Sequence, residues 1–146
     1  MIDRDSHRRR GFTLIELIAV IVVLAILVGV ALPKYFDYAA DAKKAACKGT
    51  LGGIRAGIAN YYANKAIIGV AAYPALADLN AISNVMQEVV PDNPYDSDNT
   101  VYAATEAQAD ARTLTTDGGW AYYTNGTTKA IFYANTDTTG ISENDF

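Results

Sequence analysis

Residues 12–32, FTLIELIAVIVVLAILVGVAL, constrain this chain more than any other stretch: apart from Thr13 and Glu16, every residue is apolar or glycine. As a helix rising roughly 1.5 Å per residue, this run reaches about 30 Å, which matches the hydrocarbon core of a bilayer. Glu16 is the anomaly. An unpartnered acid deep in lipid costs about 3 kcal/mol, so a folded use for the run has to account for it.

Arg8, Arg9 and Arg10 stand directly before the run and only Lys34 directly after it. The positive-inside bias therefore places the N-terminus in the cytoplasm and the chain beyond Tyr35 in the periplasm or its equivalent. Three uses compete for such a segment. A secretory signal peptide has the basic start and, at Gly29-Val30-Ala31, a small-x-small cleavage step that leaves Leu32 first, but this run is longer than an apolar signal core. A permanent signal anchor explains the length and the arginines and leaves Glu16 without a purpose. The third use takes in the acid.

The stretch Gly11-Phe12-Thr13-Leu14-Ile15-Glu16-Leu17 resembles the cleavage and N-methylation signature of the type IV pilin and pseudopilin family, set between basic residues and an uninterrupted apolar run. The resemblance implies a prepilin peptidase that cuts after Gly11 and methylates Phe12. It divides the chain into a leader (1–11), a transmembrane and filament-core half-helix (12–33), and a periplasmic globular domain (34–146) that includes the amphipathic half of the same helix. The implied fold is α+β, a long N-terminal α-helix packed on a small antiparallel β-sheet. The implied partners are copies of the chain itself, an inner-membrane assembly platform, and membrane lipid before assembly. The function that follows is structural: a subunit of a helical filament, either a pseudopilin of a type II secretion-type system or a disulfide-free type IV pilin.

Cleavage at Gly11 removes the arginines and exposes an α-amino group on Phe12, cationic at neutral pH with a reference pKa near 8. Glu16 has two ways to use its charge. It can favour the positive end of its own helix, for roughly 0.3 to 1 kcal/mol, or it can meet the Phe12 ammonium of a neighbouring subunit, which relieves the cost of burying both. The second role, with Thr13 beside it, sets subunit register.

Pro33, following Gly29, removes a helical hydrogen bond, so a kink or a locally melted stretch is expected there. Beyond it, Cys47, Leu51, Ile54, Ile58 and Tyr61 or Tyr62 recur every three or four residues, the pattern of a helix with one buried face ending near Asn64. Gly49, Gly52, Gly53 and Gly57 weaken that helix by about 1 kcal/mol each, which calls for close packing on a flat surface or a bend at Gly52-Gly53. Cys47 lies on the apolar stripe and reads as a buried structural thiol.

Residues 73–79 allow a proline-started turn of helix, and Ser83 or Asn84 can cap a short helix to Val90, stopped by Pro91. Residues 90–99 read as an exposed acidic loop. Residues 120–124 and 127–134 are rich in aromatic and β-branched types, and Asn125-Gly126 fits a two-residue hairpin turn. That register sets Trp120 opposite Ile131 and Tyr122 opposite Lys129. The stripe from Cys47 to Tyr62 is the cover for this sheet, and the sequon Asn125-Gly126-Thr127 reads as turn chemistry.

Residues 73–79 and 90–95 also resemble the helix and proline-rich turn of major pseudopilins, with Asn93 interposed and Tyr95 in place of a tryptophan. Residues 135–146 resemble their calcium-binding end loop, which makes Asp137 and Asp145 candidate calcium ligands; Asp92, Asp96 and Asp98 form a second acidic group. Oxygen-rich loops suit calcium, although terminal acids are commonly only solvated.

Little points to catalysis. The single histidine, His7, lies in the leader, and the paired carboxylates lie in loops without apolar neighbours to raise a pKa. Formal charge is −4, of which residues 1–11 contribute +2, leaving −6 from Phe12 onward. A body this acidic carries no electrostatic footprint for nucleic acid, which weighs against a DNA-capturing minor pilin. The alternative function is a membrane-anchored periplasmic binding module that does not polymerise.

Overall fold

The computed structural model of the chain describes residues 11–81, 84–115, 118–137 and 142–146. Its first element, α1, is the 54-residue helix Leu14–Ile67, and the chain divides into two compact units between Ala40 and Asp41. In the first unit, every residue from 11 to 40 is exposed. Pro33 has no N–H to give the Gly29 carbonyl four residues earlier, yet the helix continues through both positions, so residues 29–33 are helical rather than melted.

In the second unit, α1 buries one stripe, Cys47, Leu51, Ile54 and Ile58, spaced as one face of a helix requires. It runs to Ile67, past the expected end near Asn64. Gly69 provides the stop: at φ +82° its N–H bonds the Ala66 carbonyl at 3.0 Å while Val70 N bonds Lys65 O at 3.0 Å. This pair of bonds is the glycine-terminated Schellman closure. Close packing of the α1 glycines is met at one position. A Cβ on Gly57 would lie 3.2 Å from the Val85 carbonyl, whereas Gly49, Gly52 and Gly53 have open space beside them.

The sheet has three strands, β1 (Val101–Ala103), β2 (Trp120–Thr124) and β3 (Ala130–Ala134), in the order β1-β2-β3. The expected antiparallel hairpin is β2–β3, and β1 adds to it in parallel, so the sheet is mixed. Its register corrects the expected one: Trp120 faces Ala134, Tyr122 faces Phe132 and Thr124 faces Ala130. Asn125 is the reason. Its Oδ1 accepts the N–H groups of Thr127, Thr128 and Lys129 at 3.2, 2.9 and 2.9 Å, and its own N–H bonds Lys129 O at 3.1 Å. The side chain thus closes a five-residue loop where a two-residue turn was expected. Slipping a strand by an odd number of residues exchanges its faces. Phe132 thereby joins Trp120 and Tyr122 against the α1 stripe, and Tyr133 turns to the opposite face with Ala121 and Ala109.

Two short helices flank the sheet. The turn expected at 73–79 is α2 (Leu76–Asn80). The second, α3 (Glu106–Ala111), covers the outer face of the sheet and starts at a capping box: Thr105 Oγ1 accepts Gln108 N at 3.3 Å, and Thr105 N donates to Gln108 Oε1 at 2.9 Å. The helix expected from Asn84 to Val90 does not form; Ser83 lies outside the described residues. Residues 84–90 hold turns, bends and one bridge residue but no helix, with Val85 and Met86 laid against Gly57 and Val90 buried. Packing of these side chains overrides a helix too short to nucleate alone.

The acidic loop is anchored rather than free. Buried Asn93 donates from Nδ2 to Gly119 O at 2.8 Å and to Thr136 Oγ1 at 3.0 Å. Asp96 Oδ2 accepts Gly119 N at 2.7 Å, and Asp98 Oδ1 accepts Thr100 N at 2.9 Å. Gly119, at φ +65°, admits the Thr100 carbonyl where any Cβ would collide with it.

Candidate functional site

The segment that carries the expected chemistry opens in non-helical backbone at Gly11, Phe12 and Thr13 and becomes α1 at Leu14. Phe12 is 86 % exposed, and among the described residues nothing lies within 4 Å of where a Gly11 side chain would stand. No described residue therefore shields the peptide bond between them.

Thr13 and Glu16 meet directly. Glu16 Oε2 accepts both the Thr13 N–H and the Thr13 hydroxyl at 2.8 Å, and Glu16 N donates back to Thr13 Oγ1 at 3.3 Å. This is a capping box: two helix-end N–H groups that have no intrahelical acceptor are satisfied by each other's side chains. Both residues were expected to set register between subunits, and within one chain they close their own helix. Thr13-x-x-Glu16 ahead of an apolar run is the sequence signature of that motif. The same signature at Thr105-x-x-Gln108 announces α3.

From Glu16 onward the first unit shows bare apolar surface, with Leu17, Val20, Leu24, Leu27 and Val30 all at least half exposed. Among the described residues, α1 is the helix long and apolar enough to cross a membrane. A helix that is apolar all round is stable only in lipid or inside a bundle.

The remaining candidates do not converge on a centre. Asp137 and Asp145 are both exposed, residues 138–141 lie outside the described residues, and no group of three or more His, Cys, Asp or Glu that could hold a metal forms among the described ones. Calcium therefore gains no support from these side chains. Cys47 is fully buried, and burial first, then nearby Glu143, pushes its thiol up to about 11, away from thiolate chemistry. Ion pairs among the described residues are those of Lys129, with Glu106 at 3.0 Å and Asp110 at 2.7 Å, both on the surface. Sequence reasoning missed Arg55 and Arg112, which donate to the Phe146 main-chain oxygen at 2.7 and 2.6 Å and hold the segment 142–146 on the core.

One comparison with known proteins falls on this N-terminal segment. A family model described as "Prokaryotic N-terminal methylation motif" matches residues 6–32. The fimbrial protein EcpC of Eikenella corrodens is 39 % identical over 59 residues, 40 % of this chain and 39 % of that protein. The type IV major pilin protein PilE of Neisseria gonorrhoeae is 42 % identical over 59 residues, 40 % of this chain and 35 % of that one. A fimbrial protein of Neisseria meningitidis serogroup B is 43 % identical over 56 residues, 38 % of this chain and 33 % of its own. The chain thus matches about two fifths or less of the length of these curated relatives. No solved structure matches it at the significance that these relatives reach. With Glu16 in the first turn of a long apolar helix, this chain carries the prokaryotic N-terminal methylation motif and is similar, over about two fifths of its length, to type IV pilins and fimbrial proteins.

Proposed function

We propose that the chain is the structural subunit of a helical filament, made as a single-pass inner-membrane precursor with its N-terminus in the cytoplasm and its globular unit in the periplasm. A prepilin peptidase cuts between Gly11 and Phe12 and methylates the new amine. The subunit then moves from lipid into a bundle of its own kind through an inner-membrane assembly platform. The filament is a pilus or a secretion pseudopilus, and the role is structural, with no catalysis by the chain itself.

The observation that carries this reading is the naked apolar half of α1 with a single acid at its start. Lipid covers that surface before cleavage and neighbouring helices cover it afterwards, so one segment serves two solvents. In the bundle, the Phe12 ammonium of one copy lies within reach of Glu16 of the next, and pairing them removes the cost of two isolated charges in an apolar core.

The test is the mass of the mature N-terminus from cells carrying the peptidase. A chain beginning at methylated Phe12 supports the reading. A chain beginning at Leu32 indicates a secreted protein, and an intact leader indicates a membrane-anchored binding module. The variant Gly11→Val, which puts a branched side chain at the cut, is expected to accumulate as precursor and yield no fibres on shearing.

A further inference from the structure

The residues just past the apolar run have no role in the reading above. Tyr35, Phe36 and Tyr38 keep 68, 65 and 69 % of their surface exposed, Lys34 precedes them, and the Tyr35 and Phe36 rings meet edge to face at 6.2 Å. At about 100° per residue the three rings spread over roughly 160° of the helix. That is a collar rather than a stripe aimed at one partner. Water does not favour three bare rings, and hydrocarbon would leave two phenol hydroxyls and an ammonium unsatisfied. The headgroup layer of a bilayer accommodates both, taking the ring bodies inward and the polar tips outward.

Length fixes the other end. Tyr35 lies nineteen positions beyond Glu16, about 28 Å of helix at roughly 1.5 Å per step, against roughly 30 Å of hydrocarbon. With the collar at one surface, Glu16 and its partner Thr13 reach the opposite one.

We propose that Lys34, Tyr35, Phe36 and Tyr38 fix the precursor helix at the outer headgroup layer and so hold Glu16 in the inner one, where its carboxylate stays hydrated until the chain enters a filament. Hydrocarbon then receives only residues 17–33. The acid is tolerated in the membrane because it lies at its edge, and it becomes a buried charge only on assembly. This inference rests on the membrane-spanning part of the proposed function and does not depend on filament formation.

The experiment measures depth by electron paramagnetic resonance on the full precursor in vesicles of phosphatidylethanolamine and phosphatidylglycerol. Single nitroxides are carried on Ile15→Cys, Leu24→Cys, Ala39→Cys and Asn60→Cys, each in a Cys47→Ala background, with oxygen and nickel as relaxants. Labels at 15 and 39 are expected within about 5 Å of the lipid phosphates, consistent with interfacial burial of roughly 5 to 10 Å. The label at 24 is expected near the midplane, and the one at 60 in water. Replacing Tyr35, Phe36 and Tyr38 together by serine is expected to shift the label at 15 by several ångströms. The inference is overturned if the label at 15 lies near the midplane, if that at 39 is as accessible to nickel as that at 60, or if the triple variant leaves every depth unchanged. Spin–spin broadening at 39 that grows with protein density would also overturn it, by making the collar a contact between copies. Four labels equally open to water would instead overturn the membrane anchoring itself.

Discussion

Arg55 on α1 binds the backbone of β3: its Nε and Nη2 donate to the Phe132 carbonyl at 3.0 and 2.9 Å, and Nη2 also reaches the Phe146 main-chain oxygen at 2.7 Å. β3 is an edge strand, so its outward carbonyls have no strand partner, and the guanidinium fork supplies one from the helix. Burial, and then the like charge of Arg112, lower its pKa from the ordinary arginine value, yet the group remains cationic.

Arg55→Met is therefore expected to destabilise the globular unit by about 2 to 3 kcal/mol, the range for losing charge-assisted hydrogen bonds to partly buried carbonyls. Arg55→Lys, which keeps the charge and loses the fork, is expected to recover less than half of that. Urea unfolding in detergent, followed by the fluorescence of buried Trp120, measures both. Equal stability in the methionine variant would mean that the clamp holds nothing.

Gly119 and Gly126 make a controlled pair. Both have positive φ, +65° and +86°, but only Gly119 has a carbonyl, that of Thr100, in the place of a Cβ; Gly126 faces open space. Gly126→Ala is expected to cost about 1 to 2 kcal/mol, the left-handed penalty alone. Gly119→Ala is expected to cost clearly more and to loosen the 93–98 loop, whose Asn93 and Asp96 both bond Gly119. Amide exchange across residues 93–100 reports the second effect.

Alkaline stability follows from two buried acids of the neutral kind. Burial pushes the Cys47 thiol from 9.0 up to about 11 and the Tyr122 phenol, whose hydroxyl donates to Pro74 O at 2.8 Å, from 10.0 up to about 12. Unfolding lowers both, so the unfolded chain releases these protons first. Their contribution to stability is full below about pH 9 and is lost as pH rises toward 11 and then 12. Thermal melting from pH 7 to 11 should show a fall that begins near 9. The Cys47→Ala variant should retain only the later, tyrosine part. At pH 8 iodoacetamide should label Cys47 only after unfolding.

Most of what shapes the N-terminal segment could be read from residue order. The apolar run, the motif at Gly11–Glu16 and the Cys47–Ile58 stripe are repetitive patterns that need no knowledge of the rest of the fold. The hairpin strands were legible for the same reason, while their register was not: Asn125-Gly126 favours a two-residue turn, and the competing bonds of the Asn125 side chain select a longer loop. The parallel strand β1 is three residues long and has no periodicity to detect. Gly69 marked the end of α1 in plain sight, as did Thr105-x-x-Gln108 the start of α3. The Arg55 clamp joins residues 77 positions apart, and no local pattern announces it.

The Thr13–Glu16 capping box allows the helix-start role of Glu16 to be separated from its proposed role in pairing with a neighbouring subunit. Glutamine at position 16 keeps an acceptor for the Thr13 N–H, since Thr-x-x-Gln caps as Thr-x-x-Glu does. Glu16→Gln thus removes the charge and spares the helix start, whereas Thr13→Val removes the hydroxyl and spares the charge. The valine variant is expected to assemble if the proposed intersubunit charge pair, which this change spares, is what sets register.

The most direct measurement is the yield and axial spacing of fibres sheared from cells that make the Glu16→Gln chain, compared with the unaltered chain at equal amounts of cleaved subunit. A charge pair between Glu16 and a neighbouring Phe12 amine predicts normal insertion and cleavage with at least tenfold fewer fibres. Fibres of unchanged number and unchanged spacing would contradict it.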